Sequence, residues 1–293
     1  MPKAGLGNQL FPLMKAVILQ QITGLPLMIT NYHQFLIGPY MRREKSKRRY
    51  TGYFIFQKNI VLYWIDKCKL LFYSDYLVVN EPPLNKNELY ADDKCIYMYT
   101  AMPHWDDYFM GLKDHRDKVI ASFFKLLAPA ILRQIDAQPP PCIGVHIRMG
   151  DFRKLQAGAD FAASGHTRTP EHYFISIIEG VRQIAGKNLA VTVFTDGYKH
   201  EFKYLFDMPA VVMAENNPDI VDMVLLSKSK FIITSASSTF SYWAGFLSDA
   251  PLIMHPDHIH QPLRPVQVKN ELYEGPFDEN NPLLVKNIIS IHE

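Results

Sequence analysis

Through the second half of the chain, apolar runs of strand length alternate with helical periodicity. The run Cys142-Ile143-Gly144-Val145-His146-Ile147 breaks abruptly into Arg148-Met149-Gly150-Asp151, as a buried parallel strand does where its carboxyl end meets a ligand. On this stretch alone, a core strand emerging into a hydrated turn fits as well. A loop over 150–169 is followed by a helix starting at Pro170, with Phe174, Ile177, Ile178 and Val181 on one face. A strand over 189–194 ends in Thr195-Asp196-Gly197, a strand over 210–212 follows, and 220–229 reads as a helix. The strand over 231–234 ends in Ser235-Ala236-Ser237-Ser238-Thr239-Phe240. This alternation predicts a parallel doubly wound sheet. In such sheets the ligand crevice lies beyond the carboxyl ends of the strands, where His146, Arg148, Asp151, Asp196 and Ser237 to Thr239 would converge.

The first half is less regular. Gly5-Leu6-Gly7-Asn8-Gln9-Leu10-Phe11 reads as a turn opening a helix, with Leu10, Met14, Val17, Ile18 and Ile22 at helical spacing before Gly24 and Pro26 close it. Pro12 lacks an N–H and suits a first turn, which places the helix start near Asn8 or Gln9. The exposed amides of such a turn suit a phosphate or sugar, and an ordinary Asn-capped helix has the same signature. Residues 27–30 read as a short strand. The one dense basic run, 42–49, has the composition of solvated surface; its functional reading is contact with an anionic or lipid-linked substrate at a membrane face. Residues 50–99 are rich in aromatics, with apolar groups Ile60-Val61-Leu62-Tyr63-Trp64 and Tyr76-Leu77-Val78-Val79 in elements whose order the pattern does not give. His104 and Trp105 suit core filling better than stacking on a sugar. Helical periodicity over 113–138 is interrupted by Pro129, and Pro139-Pro140-Pro141 then forms a stiff connector. The expected domain boundary lies there, dividing the chain into 1–138 and 142–293.

Composition narrows the class. A chain of 293 residues with 48% hydrophobic and 20% charged positions suits two globular domains. A net charge of +2 lacks the field of a dedicated nucleic-acid binder. Cys68, Cys95 and Cys142 have no metal-ligand spacing and cannot all pair, which suits a reducing compartment. No signal peptide is evident after Met1, and the uncharged run 231–248 is too polar for a membrane span. The expectation is a soluble cytoplasmic protein, with peripheral association at the inner membrane face.

Three separated stretches carry a resemblance: Gly5-Leu6-Gly7-Asn8-Gln9-Leu10-Phe11, His146-Ile147-Arg148-Met149-Gly150-Asp151, and Ser237-Ser238-Thr239-Phe240-Ser241-Tyr242-Trp243-Ala244-Gly245. In this order they closely resemble the bacterial α-1,2-fucosyltransferases, and more distantly the α-1,6- and protein O-fucosyltransferases. The resemblance implies a GT-B-like fold with two Rossmann-like halves facing a central cleft. It also implies a GDP-fucose donor, inversion at the anomeric carbon, and neither metal nor other cofactor. An oligosaccharide or lipid-linked glycan would be the acceptor, with galactose O2 the expected position in synthesis of a surface polysaccharide such as O-antigen. The sequence itself has no Asp-x-Asp stretch; Asp92-Asp93 and Asp106-Asp107 are adjacent pairs.

Carried over by position, Arg148 would bind the β-phosphate and stabilise its charge as the glycosidic bond breaks. His146 and Asp222 would contact the nucleotide, Asp222 by accepting from the guanine edge. Ser237, Ser238 and Thr239 would donate to the phosphates at a helix N-terminus, while Gly7, Asn8 and Gln9 close over the donor. For Asp222 a solvated helix position, and for the hydroxyl cluster a simple N-cap, are the ordinary alternatives. Two departures stand out: Met149 occupies the place of a second Arg, and Ser237 that of an Asn. For the general base, Asp151 and Asp160 flank Gln156, where related α-1,6 enzymes carry an acid. Asp151 also suits a salt bridge orienting Arg148, and a dissociative reaction needs no protein base. The same fold with another GDP-sugar, or a non-catalytic sugar-binding relative, are the competing readings. No Gly-Lys-Ser/Thr follows the first turn, and Leu10 stands where a dinucleotide motif needs its third Gly.

Overall fold

Helix α1 (Leu6–Thr23) puts Leu6, Leu10, Phe11, Leu13, Met14, Val17 and Ile18 into the core and ends at Gly24, whose φ of 76° allows its N–H to close on Gln20 O at 2.7 Å. This computed structural model of the chain describes residues 1–32, 37–41, 45, 47–57, 64–65, 67–68, 70–73, 75–89, 94–103, 106–156, 158, 160–161, 163, 167–258 and 261–291. Arg42, Arg43, Glu44, Ser46, Ile60, Val61, Leu62, Tyr63, Asp92, Asp93, His104 and Trp105 fall outside them. Helix α1 starts earlier than the position of Pro12 suggests, because Leu6, Leu10, Phe11 and Met14 pack into the core and carry the helix through the proline. Pro12 therefore lies inside the helix, where it leaves the carbonyl four residues back without its amide. Residues 27–30 form no strand. The nitrogen of Met1 does reach Thr30 O at 2.7 Å, but Pro2 and Pro26 offer no N–H and no ladder grows.

Strands β1 (Leu77–Asn80) and β2 (Cys95–Met98) pair in parallel as a separate two-stranded sheet. The helical stretch broken by Pro129 resolves into α2 (Arg116–Leu126) and α3 (Pro129–Asp136), with the proline opening the second helix. Beyond the triple proline come β3 (Ile143–Ile147), α4 (Glu171–Ala185), β4 (Val191–Thr195), β5 (Val211–Met213) and α5 (Asp219–Ser227). They are followed by β6 (Phe231–Ile233), α6 (Thr239–Leu247), β7 (Leu252–Ile253), β8 (Glu274–Gly275) and α7 (Pro282–Ile289). The six strands from β3 to β8 form one parallel sheet in the order β5-β4-β3-β6-β7-β8. Taken from its first strand, that is the 3-2-1-4-5-6 order of a Rossmann-type sheet, and its switch point lies between β3 and β6.

One face of the sheet packs on α4 and α7 through Val145, Ile147, Phe174, Ile178, Val191, Leu284 and Ile288. The other packs on α5 and α6, and that core continues without a break into α1, α2 and α3. Phe11 and Phe109 meet Trp243 at ring-centroid distances of 5.0 Å each, and Phe109 stacks on Phe246 at 4.2 Å. Arg116, only 7% exposed, donates from α2 to Phe246 O (2.8 Å), Ser248 O (2.7 Å) and Asp249 Oδ1 (2.8 Å), which ties off the carboxyl end of α6.

Candidate active site

The β3–β6 ladder ends at Val145↔Ile233, and beyond it side chains take over the hydrogen bonding. Ser235 Oγ accepts from Arg148 N at 2.8 Å and donates to His146 O at 3.0 Å. Arg148 then emerges at the switch point. Its Nη1 donates to Asp196 Oδ2 at the end of β4, and its Nη2 to Asp151 Oδ1 at 2.6 Å. Asp196 Oδ1 also accepts from Met149 N at 2.7 Å, so one carboxylate fixes both the guanidinium and the backbone beside it. A Cβ on Gly150 would strike the Asp196 carboxylate and stand 3.3 Å from Arg148 Cζ; glycine there makes room for the pair. Burial opposes the charge on Arg148, but Asp196 and Asp151 outweigh it and raise its pKa. Burial likewise raises the Asp151 carboxyl, and the Arg148 and Arg48 guanidiniums overcome this and hold it at about 2.

Met149 is a core residue rather than a cleft residue. It is buried among Ile147, Tyr173 and Phe202 and lies over Gly197. The cleft beside Arg148 is walled by Lys45, His146, Thr195, Asp196, Glu215, Asn217, Asp219, Asp222 and Phe240. His146 stacks on Phe240 at 4.7 Å, and its buried Nδ1 has no hydrogen-bond partner among the described residues. Burial drives its pKa down to about 3, against the pull of Asp196, so the ring is neutral at physiological pH. Asp222, on α5, accepts from Asn217 Nδ2 at 3.0 Å. Burial raises its carboxyl, partly countered by Asn217, to about 7.

The amino ends of α1 and α6 meet at Gly7 and Thr239. Gly7 is buried so tightly that an added Cβ would lie 2.7 Å from Thr239 C and 2.8 Å from Phe240 N. Its lack of a side chain thus serves helix-on-helix approach. Gln9 is buried and donates to Ala4 O at 3.0 Å, fixing the turn from within, while Asn8 is half-buried in the first turn of α1. Ser238 occupies the N-cap position of α6 without a side-chain cap bond. Ser237 sits at φ 55°, donates its N–H to the Tyr242 hydroxyl at 2.9 Å, and its Oγ lies 2.9 Å from His258 Nδ1. Thr239 begins α6. The structure therefore gathers His146, Arg148, Asp196 and Asp222 around one crevice, pairs Asp151 with Arg148, and brings Gly7 against Thr239. Asp160 is exposed on the 150–169 loop.

Lys45, Arg48, Asn217 and His258 carry no recognised motif. Arg48 Nη2 stands 2.9 Å from Asp151 Oδ1, although the run that holds it has the composition of free surface. For His258 the sequence has no signal, since its partner Ser237 lies 21 positions away.

An arginine at the switch point of a Rossmann-type sheet, with hydroxyls and two helix amino ends near it in the fold, is an arrangement whose chemistry suits an anion. Residues 2–254 match the sequence profile described as "Glycosyl transferase family 11", and the chain belongs to that family. It is a glycosyltransferase, and the fucosyltransferase resemblance of the three motifs agrees with the family. No curated protein matches the sequence. Among solved structures, the fucosyltransferase NodZ from Bradyrhizobium is similar at 16% identity and a TM-score of 0.50, over 89% of this chain and 97% of that one. The NodZ α-1,6-fucosyltransferase soaked with GDP-fucose has 14% identity and a TM-score of 0.46, over 88% and 95%. POFUT1 in complex with GDP-fucose has 14% identity and a TM-score of 0.43, over 89% and 94%. The first likeness shows the fold, GT-B-like as expected. Among the described residues no helix is long and apolar enough to cross a membrane.

Proposed function

We propose that the protein moves L-fucose from GDP-fucose to a sugar hydroxyl, galactose O2 in an α-1,2 linkage, with inversion and without a metal. The observation that carries this reading is the Arg148 guanidinium, fixed by Asp196 and Asp151 at the switch point. In this mechanism the acceptor oxygen attacks the anomeric carbon from the face opposite the nucleotide. The bond from that carbon to the β-phosphate oxygen breaks, and its electron pair stays on the diphosphate, where Arg148 stabilises the growing charge. His146, neutral and with an unmet Nδ1, suits a hydroxyl of the nucleotide, and Asp222 suits the N–H groups of guanine. Asp151, held at about 2 and engaged with Arg148, is a weak base; we assign it the orienting role. The acceptor proton passes to the departing diphosphate.

The test is transfer from a panel of nucleotide sugars to galactose-terminated acceptors, with the product linkage read by NMR. Turnover with GDP-fucose and an α-1,2 product is expected, and turnover with GDP-mannose alone would overturn the donor. Arg148→Ala should lower kcat/KM by about two orders of magnitude or more; wild-type-like turnover would remove Arg148 from its role.

A further inference from the structure

Arg48 belongs to the basic run 42–49, yet its side chain is only 10% exposed and its Nη2 lies 2.9 Å from Asp151 Oδ1. The same oxygen accepts from Arg148 Nη2 at 2.6 Å. Two guanidiniums are thereby gathered on one carboxylate oxygen, and one of them, Arg148, lines the cleft; the arrangement costs like-charge repulsion and the rotamer freedom of a long side chain. A surface residue with no function at the cleft would relax into solvent. Lys45, from the same run, lines the cleft with His146 and Asp222, so the run reaches the site. The position after Arg148 cannot supply a second charge, because Met149 is committed to the core.

We propose that Arg48 is the second phosphate-binding guanidinium of the site, engaging the β-phosphate together with Arg148, and that Asp151 holds the two side by side. This rests on the reading of the donor as a nucleoside diphosphate sugar. Guanidinium is suited to it, since its fork meets two phosphate oxygens at once.

Calorimetric titration with GDP and with GMP, which lacks the β-phosphate, tests the assignment. Arg48→Ala should weaken GDP by about tenfold or more while GMP stays within about twofold. Arg48→Lys, which keeps the charge and most of the stem, should retain part of the preference for GDP, and it serves if the alanine variant fails to fold. A merely structural role is separated by a double-mutant cycle with Asp151→Ala. If Arg48 touches phosphate, Arg48→Ala still weakens GDP selectively in the Asp151→Ala background. If Arg48 acts only through Asp151, it is silent there and the proposal is overturned. Parallel losses for GDP and GMP, or no loss, overturn it too. Wild-type protein that binds neither nucleotide would instead overturn the donor reading, and this proposal with it.

Discussion

Asp222 is where burial and recognition pull in opposite directions. Desolvation drives its carboxyl pKa up to about 7, with Asn217 restraining the shift and Asp219 adding to it. The guanine edge presents N–H donors, which only the carboxylate form accepts in full. GDP affinity is therefore expected to fall as pH drops from 8 through 7 towards 6, and Asp222→Asn should bind GDP weakly with a flat profile. Wild-type affinity independent of pH over that range would take Asp222 out of the guanine contact. Stability runs the other way. The folded pKa lies above the unfolded value of about 3.9, so the folded state binds the extra proton between these values. The contribution is complete below about pH 4 and is lost as pH rises through 7. Asp222→Asn should thus melt higher than wild type at pH 8 while binding GDP less well, a pairing that plain misfolding would not produce. Asp222 was legible only through the resemblance. Its partner Asn217 was not, because a polar residue before Pro218 reads as a turn.

At the scale of elements, the site depends on how α6 is held at both ends. At its amino end, Gly7 lets α1 approach the Thr239 backbone; at its carboxyl end, Arg116 caps the last carbonyls from α2. Gly7→Ala must push the helices apart and should destabilise by about 1 to 3 kcal/mol, with a loss of GDP affinity measurable in the folded fraction. Arg116→Ala leaves the buried Phe246 carbonyl without its side-chain donor and Ser248 O with only Arg264 Nη1 at 3.5 Å, and should cost about 3 kcal/mol, read as a lower denaturation midpoint with kcat largely kept. Unchanged midpoints would mean that α6 is anchored elsewhere. The sequence pointed to Gly7 for a different reason, an anion beside the backbone. The contact that requires glycine is with a helix start 232 positions away, a distance no local pattern reports. The start of α1 was missed because Pro12 was weighed as a boundary, whereas the tertiary packing of Phe11 and Met14 carries the helix through it.

Across the whole molecule, legibility followed burial. Strands β3, β4 and β6 have both faces covered and announce themselves as apolar runs with polar ends. In the first half Leu77 and Val78 lie in a strand yet are largely exposed, and Phe72 is 84% exposed, so apolar positions there do not trace a core and the pattern loses its meaning. The connector at Pro139-Pro140-Pro141 marks a change of architecture, but the core does not stop at it. Phe11 and Phe109 from one side pack on Trp243 and Phe246 from the other, and Arg48 of the first half pairs with Asp151 of the second. Both halves should therefore unfold together, in a single calorimetric transition, since neither can expose its share of that aromatic cluster without the other. A nucleotide seated between Arg48 and Asp222 should raise that one transition rather than split it. At 100 times its dissociation constant GDP adds about 2.7 kcal/mol, which for a chain of this size moves the midpoint by roughly 4 to 5 °C. Two resolved transitions, with GDP shifting only the later one, would show instead that residues 142–293 bind the nucleotide alone and that the first half is a separately melting unit.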